Sequence, residues 1–211
     1  MYKRELARLS RAGVKYLVIG GVALGLSGYP RATLDLDLFV ELSEENLNRL
    51  LKVLGRMGYE PKIPVNPEEL KDPEKRKEWV RTKHAKVFTF HQPQKPYCQI
   101  DILLESPISF AGAWTRSRIV FIGGQKVHVA CPEDLLHLKQ LAGRKKDKED
   151  IEIPKEIIQV EMEEDDEIID YIERWRKVPA ERILECMGQM REFLLTYMTK
   201  EGRKVLRVLS S

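Results

Sequence analysis

The sequence predicts an α+β fold, a β-sheet flanked by helices with a helical C-terminal region, on three observations. Short apolar runs such as "VKYLVI", "LDLDLFV", "AKVFTFH" and "YCQIDILLE" read as strands. Leucines at helical spacing, bounded by capping residues and glycines, read as helices, above all in "SEENLNRLLKVLGRMGY". Beyond Pro154 the strand pattern stops and the chain reads as helix.

Taken in order, residues 2–12 predict a short helix with Leu6 and Leu9 on one face, ended by Gly13. Residues 14–19 predict a buried strand. Gly20 and Gly21 follow it, and "VALGLSGY" predicts a helix that tolerates its glycines. "PRAT" is turn chemistry, and "LDLDLFV" is a second strand. Ser43 predicts the cap of the next helix, with Glu44 and Glu45 in its first turn and Gly58 near its end. Residues 61–83 form a polar, proline-dotted segment with a short helix near residues 73–80. "AKVFTFH" and "YCQIDILLE" are strands joined by the loop "QPQKP", and "SRIVFIGGQKVHVA" is a hairpin turning at Gly123 and Gly124. "CPEDLLHLKQLAG" is a helix from Pro132 to Gly143. The charge run "RKKDKEDIEIP" marks a boundary, with a core over residues 1–150 and a helical region over residues 151–211.

The bulk properties exclude more than they assign. A chain of 211 residues, 43% hydrophobic, has the length for a real core. Its net charge of +3 does not announce a nucleic-acid binder, so any basic surface is local. The 33% charged share and the few asparagines are compatible with a heat-adapted source. Cys98, Cys131 and Cys186 lie far apart without a CxxC or Cys/His cluster, which speaks against structural zinc. They predict reduced thiols and a cytoplasmic setting. The charged N-terminal stretch lacks the apolar core of a signal peptide, and no apolar run approaches bilayer-spanning length.

Asp35 and Asp37 raise the functional question. Strand alternation puts both on one face with Thr33, while Leu34, Leu36 and Leu38 point the other way. Two residues of strand separate the carboxylates by roughly 6–7 Å. Their repulsion is about 2.5 kcal/mol at an effective dielectric near 20 and about 0.6 kcal/mol in open water. A solvated face carries that cheaply; a cleft needs cations, and hard cations such as Mg²⁺ favour carboxylate oxygens. Asp101 has the same design, between Ile100 and Ile102. If its strand lies beside the first, three carboxylates converge, the minimum equipment for two-metal phosphoryl transfer. Gly20 and Gly21 sit where a buried strand becomes a helix, where backbone can approach an anion closely.

Glycine pair, short helix, Asp-x-Asp and a distant strand Asp together resemble the DNA polymerase β-like nucleotidyltransferase superfamily. "GG" followed by "RATLDLDLFV" is most similar to its small prokaryotic branch of minimal nucleotidyltransferases and AbiEii-type toxin nucleotidyltransferases. "LLHLKQLAGRKKDKEDI" is similar to the helix that follows the core in those proteins. The resemblance runs over residues 14–151 and implies the nucleotidyltransferase fold, a mixed sheet flanked by helices. It implies Asp35, Asp37 and Asp101 as metal ligands for two Mg²⁺ ions, or Mn²⁺, with Asp101 also favouring the deprotonated acceptor. It implies Gly20 and Gly21 as the phosphate corner. Many members carry Ser as the second corner residue; here Gly21 offers backbone only, as in the small prokaryotic branch.

Arg31 and Thr33 are candidates for orienting triphosphate, beside a plain turn role after Pro30. Lys139 is a candidate phosphate contact, beside a solvated helix position. Arg144, Lys145, Lys146 and Lys148 could steer a polyanion, but Asp147, Glu149 and Asp150 interleave with them as in a salt-bridged helix end. The four histidines lack metal-ligand spacing, and the tryptophans read as packing.

The expected function is Mg-dependent transfer of a nucleoside monophosphate from an NTP to a hydroxyl of RNA, protein or a small molecule, releasing pyrophosphate. The alternative is a silent nucleotide-binding or toxin–antitoxin partner module of the same fold. The partners expected are the NTP substrate, an RNA or protein acceptor and a cognate toxin or antitoxin protein, and no membrane.

Overall fold

The computed structural model describes residues 2–27, 33–140 and 177–200. Seven strands form one mixed sheet in the order β3-β4-β5-β2-β1-β7-β6. They are β1 (Tyr16–Ile19), β2 (Asp35–Val40), β3 (Glu60–Pro61), β4 (Val87–Gln92), β5 (Lys95–Leu103), β6 (Arg118–Ile122) and β7 (Gln125–Val129). β2 pairs parallel with β5, and β1 parallel with β7; the other pairs are antiparallel. Seven α-helices accompany them among the described residues: α1 (Lys3–Arg11), α2 (Gly20–Leu26), α3 (Glu44–Arg56), α4 (Pro73–Lys83), α5 (Phe110–Arg116), α6 (Pro132–Gln140) and α7 (Ala180–Lys200).

Alternation along the strands builds two unlike faces. Val18, Leu36, Leu38, Ile100, Ile102, Phe88, Phe90, Val127 and Val129 are buried on one. The core also takes Leu6 and Leu9 of α1 and Leu47, Leu50 and Leu54 of α3, which recur at helical spacing. Burial of each such side chain contributes about 1.5–3 kcal/mol. Asn46 of α3 is buried and fully used. Its Oδ1 accepts the Lys15 N–H at 2.8 Å, and its Nδ2 donates to the Lys15 and Glu41 carbonyls at 2.9 and 2.8 Å. That clip fixes the start of β1 to the end of β2.

Local chemistry sets the element ends. Gly13, at φ +69°, closes α1. Ser43 accepts the Asn46 N–H and caps α3. Gly123 and Gly124, both at positive φ, make the β6–β7 turn.

Several bounds differ from the expectation. α2 begins at Gly20 itself, and α4 runs on to Lys83. The β4–β5 connection narrows to Pro93 and Gln94, because the strands pair to Gln92 and from Lys95. A 3₁₀ turn (Pro67–Lys71) and the two-residue β3 lie in the proline-dotted segment, and α5 fills a stretch with no repeated period.

The C-terminal helix belongs to the same core. Ile183, Leu184 and Met187 are buried, and a Cβ on Gly25 would lie 2.3 Å from the Met187 sulfur. α7 therefore seats directly on α2. The boundary expected at residue 150 and the helix end at Gly143 lie outside the described residues.

Candidate active site

Strand register gathers the three carboxylates. Asp37 on β2 pairs with Asp101 on the parallel strand β5, and Asp35 pairs with Gln99. Register partners on neighbouring strands point the same way, so Asp35, Asp37 and Asp101 share the face opposite the leucine core. On the other side of β5, Thr89 opposes Asp101 and His91 opposes Gln99. On the other side of β2, Ile19 opposes Asp37, which brings Gly20 to the end of that row. One row across the sheet thus reads Thr89, Asp101, Asp37 and then the glycine corner.

The corner is tight, and each glycine has its own reason. Gly20 has φ +64°, and a Cβ there would lie 2.1 Å from Asp37 Oδ2. Gly21 would bring a Cβ to 2.9 Å from Thr33 Cβ and 3.0 Å from Thr33 Oγ1. The Asp37 carboxylate and the Thr33 side chain therefore occupy the space that larger residues would need. Thr33 Oγ1 donates to the Asp35 carbonyl at 3.4 Å, the long end of hydrogen bonding.

Beyond these polar rows the face turns apolar. Phe39, two residues past Asp37, meets Phe110 of α5 edge-on with ring centroids 5.3 Å apart. Phe110 meets Trp114 at 5.6 Å, and Trp114 stacks on His128 of β7 at 3.7 Å. His128 Nδ1 lies 2.7 Å from the Ser117 hydroxyl. Burial, with Lys126 adding to it, pushes the His128 pKa below the ordinary histidine value. α5 therefore walls one end of the carboxylate face with a neutral aromatic stack. Arg116 at its end bonds the buried Asp134 of α6 at 2.6 Å. The Cys131 thiol, partly buried before α6, is pushed up to about 12, chiefly by desolvation, which favours the neutral thiol.

The open end of the face carries residues that sequence reasoning missed. Lys62 Nζ donates to Gln99 Oε1 at 2.8 Å. Tyr97, two residues before Gln99, is 48% exposed. The buried Tyr2 donates its hydroxyl to the Leu34 carbonyl at 2.6 Å and accepts the Gln99 N–H at 3.2 Å, joining the start of β2 to the middle of β5 beside Asp35. Parity along β5 would have found Gln99, which alternates with Asp101; the register shift between His91 and Gln92 breaks the alternation before Tyr97. Nothing in the proline-dotted stretch around Lys62 signals where its side chain goes.

Arg31, Asp147, Asp150 and the basic run at residues 144–148 lie outside the described residues. Lys139 lies on α6, near its end. A cleft of about 480 Å³ between β6 and the start of α7, lined among others by Leu26, Arg118, Phe121 and Ile183, contains none of the three carboxylates.

The carboxylates suit a hard divalent cation by chemistry. They offer oxygen donors only, and Asp101 Oδ1 is buried without a hydrogen-bond partner. A buried acceptor left so costs about 1–3 kcal/mol, which a cation would offset. Among the described residues no three His, Cys, Asp or Glu side chains stand at metal-holding spacing, so the three share a face rather than form a closed cage. No helix among the described residues is long and apolar enough to cross a membrane.

Among solved structures, the chain is similar to the antibiotic-resistance factor ANT(2″)-Ia in solution. Identity there is 12%, coverage is 91% of this chain and 100% of that one, and the TM-score is 0.44. It is also similar to an antigenic nucleotidyltransferase-like protein from Paracoccidioides brasiliensis, at 16% identity, 95% and 91% coverage and a TM-score of 0.43. No curated protein matches it in sequence. A family profile does, over residues 3–193, which takes in the whole sheet and most of α7; the chain belongs to the family described as "Nucleotidyltransferase of unknown function (DUF6036)".

Proposed function

We propose that this nucleotidyltransferase-family chain moves a nucleoside monophosphate from an NTP to an acceptor hydroxyl. The observation that carries the reading is the register of Asp37 against Asp101, with Asp35 on the same face and Gly20 at the end of the row. The acceptor oxygen bonds to the α-phosphorus, and the anhydride bond to the β-phosphate breaks. Pyrophosphate leaves with the electron pair, and the hydroxyl proton passes to Asp101. Gly20 and Gly21 leave room for the Asp37 and Thr33 side chains, and the triphosphate lies against the backbone N–H groups at the start of α2. Thr33 offers its hydroxyl at that corner. Arg31 and Lys139 are proposed phosphate contacts on sequence grounds alone.

Asp35, Asp37 and Asp101 would hold divalent metal, Mg²⁺ or Mn²⁺. Bound there, it supplies charge neutralisation on the phosphates and a lowered pKa for the attacking hydroxyl. The chain's own part is to keep three carboxylates on one rigid face, so that little reorganisation is needed at the moment of transfer.

Titration calorimetry with Mg²⁺ and each NTP tests the reading. Wild type is expected to bind one or more NTPs in a Mg²⁺-dependent way, and Asp35→Asn and Asp101→Asn to weaken that binding at least tenfold. Full Mg²⁺-dependent transfer by both variants would overturn the assignment. Binding without transfer to any acceptor would favour a silent nucleotide-binding module.

A further inference from the structure

Tyr2, at the N-cap of α1, sends its hydroxyl into the start of the β2–β5 ladder. The oxygen accepts the Gln99 N–H at 3.2 Å and donates to the Leu34 carbonyl at 2.6 Å, with the Gln99 carbonyl at 2.9 Å as a second acceptor. The Leu34 carbonyl and the Asp35 N–H belong to one planar peptide unit. Holding the carbonyl therefore holds the backbone from which the Asp35 side chain grows. Gln99 is the register partner of Asp35, and Asp101 follows two residues on along β5. One hydroxyl thus ties the peptide that carries Asp35 to the strand that carries Asp101. The backbone of Tyr2 is fixed as well, because its carbonyl accepts the Leu6 N–H at 3.0 Å and opens α1. Tyr2 meets both demands while buried, with a left-handed backbone at φ 49° and ψ 8°. That conformation costs free energy in a residue with a side chain, and it persists where the surroundings over-determine it.

We infer that Tyr2 is a positioning residue for the metal ligands: its hydroxyl holds Asp35, on β2, at a fixed offset from Asp101, on β5. The inference rests on the reading in which these carboxylates hold divalent metal. Among the described residues no three such side chains stand at metal-holding spacing, so the separation of β2 from β5 governs how many oxygens one ion reaches. Phenylalanine at position 2 would keep the ring in the core and remove the relay. The Gln99 N–H and the Leu34 carbonyl would then close on each other or lose their partner, and either change shifts or loosens the Asp35 peptide. Tyr16 supplies the contrast. It also buries a hydroxyl, against the Leu6 carbonyl at 2.9 Å and the Ser10 hydroxyl at 2.8 Å, but it pairs with Val40 at the end of β1 away from Gly20.

The test is Mn²⁺ binding to the NTP-free protein, read by electron paramagnetic resonance, for wild type, Tyr2→Phe and Tyr16→Phe, with thermal unfolding of each. Tyr2→Phe is expected to weaken Mn²⁺ binding roughly tenfold, as loss of a group that orients a metal ligand does. Tyr16→Phe also loses a buried hydroxyl and is expected to lower the unfolding temperature by a similar amount while keeping wild-type Mn²⁺ affinity. On wild type alone, saturating Mg²⁺ is expected to slow hydrogen exchange at the Gln99 amide, which bonds to Tyr2. No Mn²⁺ binding by wild type, wild-type affinity in Tyr2→Phe, equal weakening in both variants, or Gln99 exchange indifferent to Mg²⁺ overturns the inference. Label transfer from an NTP on the same samples separates the two levels. Equal transfer and equal Mn²⁺ affinity in wild type and Tyr2→Phe defeat the inference and leave the transfer reading standing. Mn²⁺ affinity that depends on Tyr2, with no transfer to any acceptor, supports the positioning role and overturns the transfer reading.

Discussion

Gly21 and Thr33 are a steric pair. With a Cβ at Gly21 meeting Thr33 Cβ at 2.9 Å, Gly21→Ser is expected to cost about 1–3 kcal/mol. Thr33→Gly removes the opposing side chain, its Cβ included, and should recover part of that loss. Urea unfolding of both single variants and the double variant measures the coupling, expected at about 1 kcal/mol or more. Additive effects would mean that the two side chains do not compete for the same space. The sequence offered both residues as site candidates for their chemistry, but not the contact between them. The contact joins the start of α2 to the residue two before β2, a tertiary proximity that alternation cannot reveal. Asp35, Asp37 and Asp101 were legible for the opposite reason: each sits in an unbroken apolar alternation, so parity alone puts it on the polar face.

At the scale of elements, α5 shows what periodicity misses. It is short, holds Gly112, and presents no repeated stripe, so only the cap at Ser109 marks it. Yet it supplies the aromatic wall beside the carboxylates. His128, stacked in that wall, has its pKa lowered in the folded chain, mainly by burial. The unfolded chain therefore takes up a proton, from about pH 6.5 downward, before the folded chain does. The stability from this group is complete above that value and is lost as pH falls through the folded pKa. Thermal unfolding at about pH 7 and about pH 5 should show a larger drop for wild type than for His128→Phe, which keeps a ring in the stack but cannot titrate. Equal drops would mean that His128 is not held neutral by the fold. The longer elements were legible because their signals repeat: leucines along α3, alternation along β2 and β5, paired glycines between β6 and β7.

At the scale of the molecule, the order of the strands decides everything the site can do. Asp37 and Asp101 meet because β2 and β5, far apart in the chain, lie parallel and adjacent. Sequence pattern could state that adjacency only as a condition, because pairing between distant strands leaves no local trace. α7 reaches back to α2 through Met187 and Gly25, so the C-terminal helix braces the helix that begins at the glycine corner. We propose that this arrangement transfers a nucleoside monophosphate. The most direct test mixes the protein with Mg²⁺, each α-labelled NTP and a cell extract holding RNA and protein, beside the Asp35→Ala, Asp37→Ala double variant. Label on a discrete RNA or protein band, absent with the double variant, is the predicted result; no label in any lane, or the same label with both carboxylates gone, would contradict it.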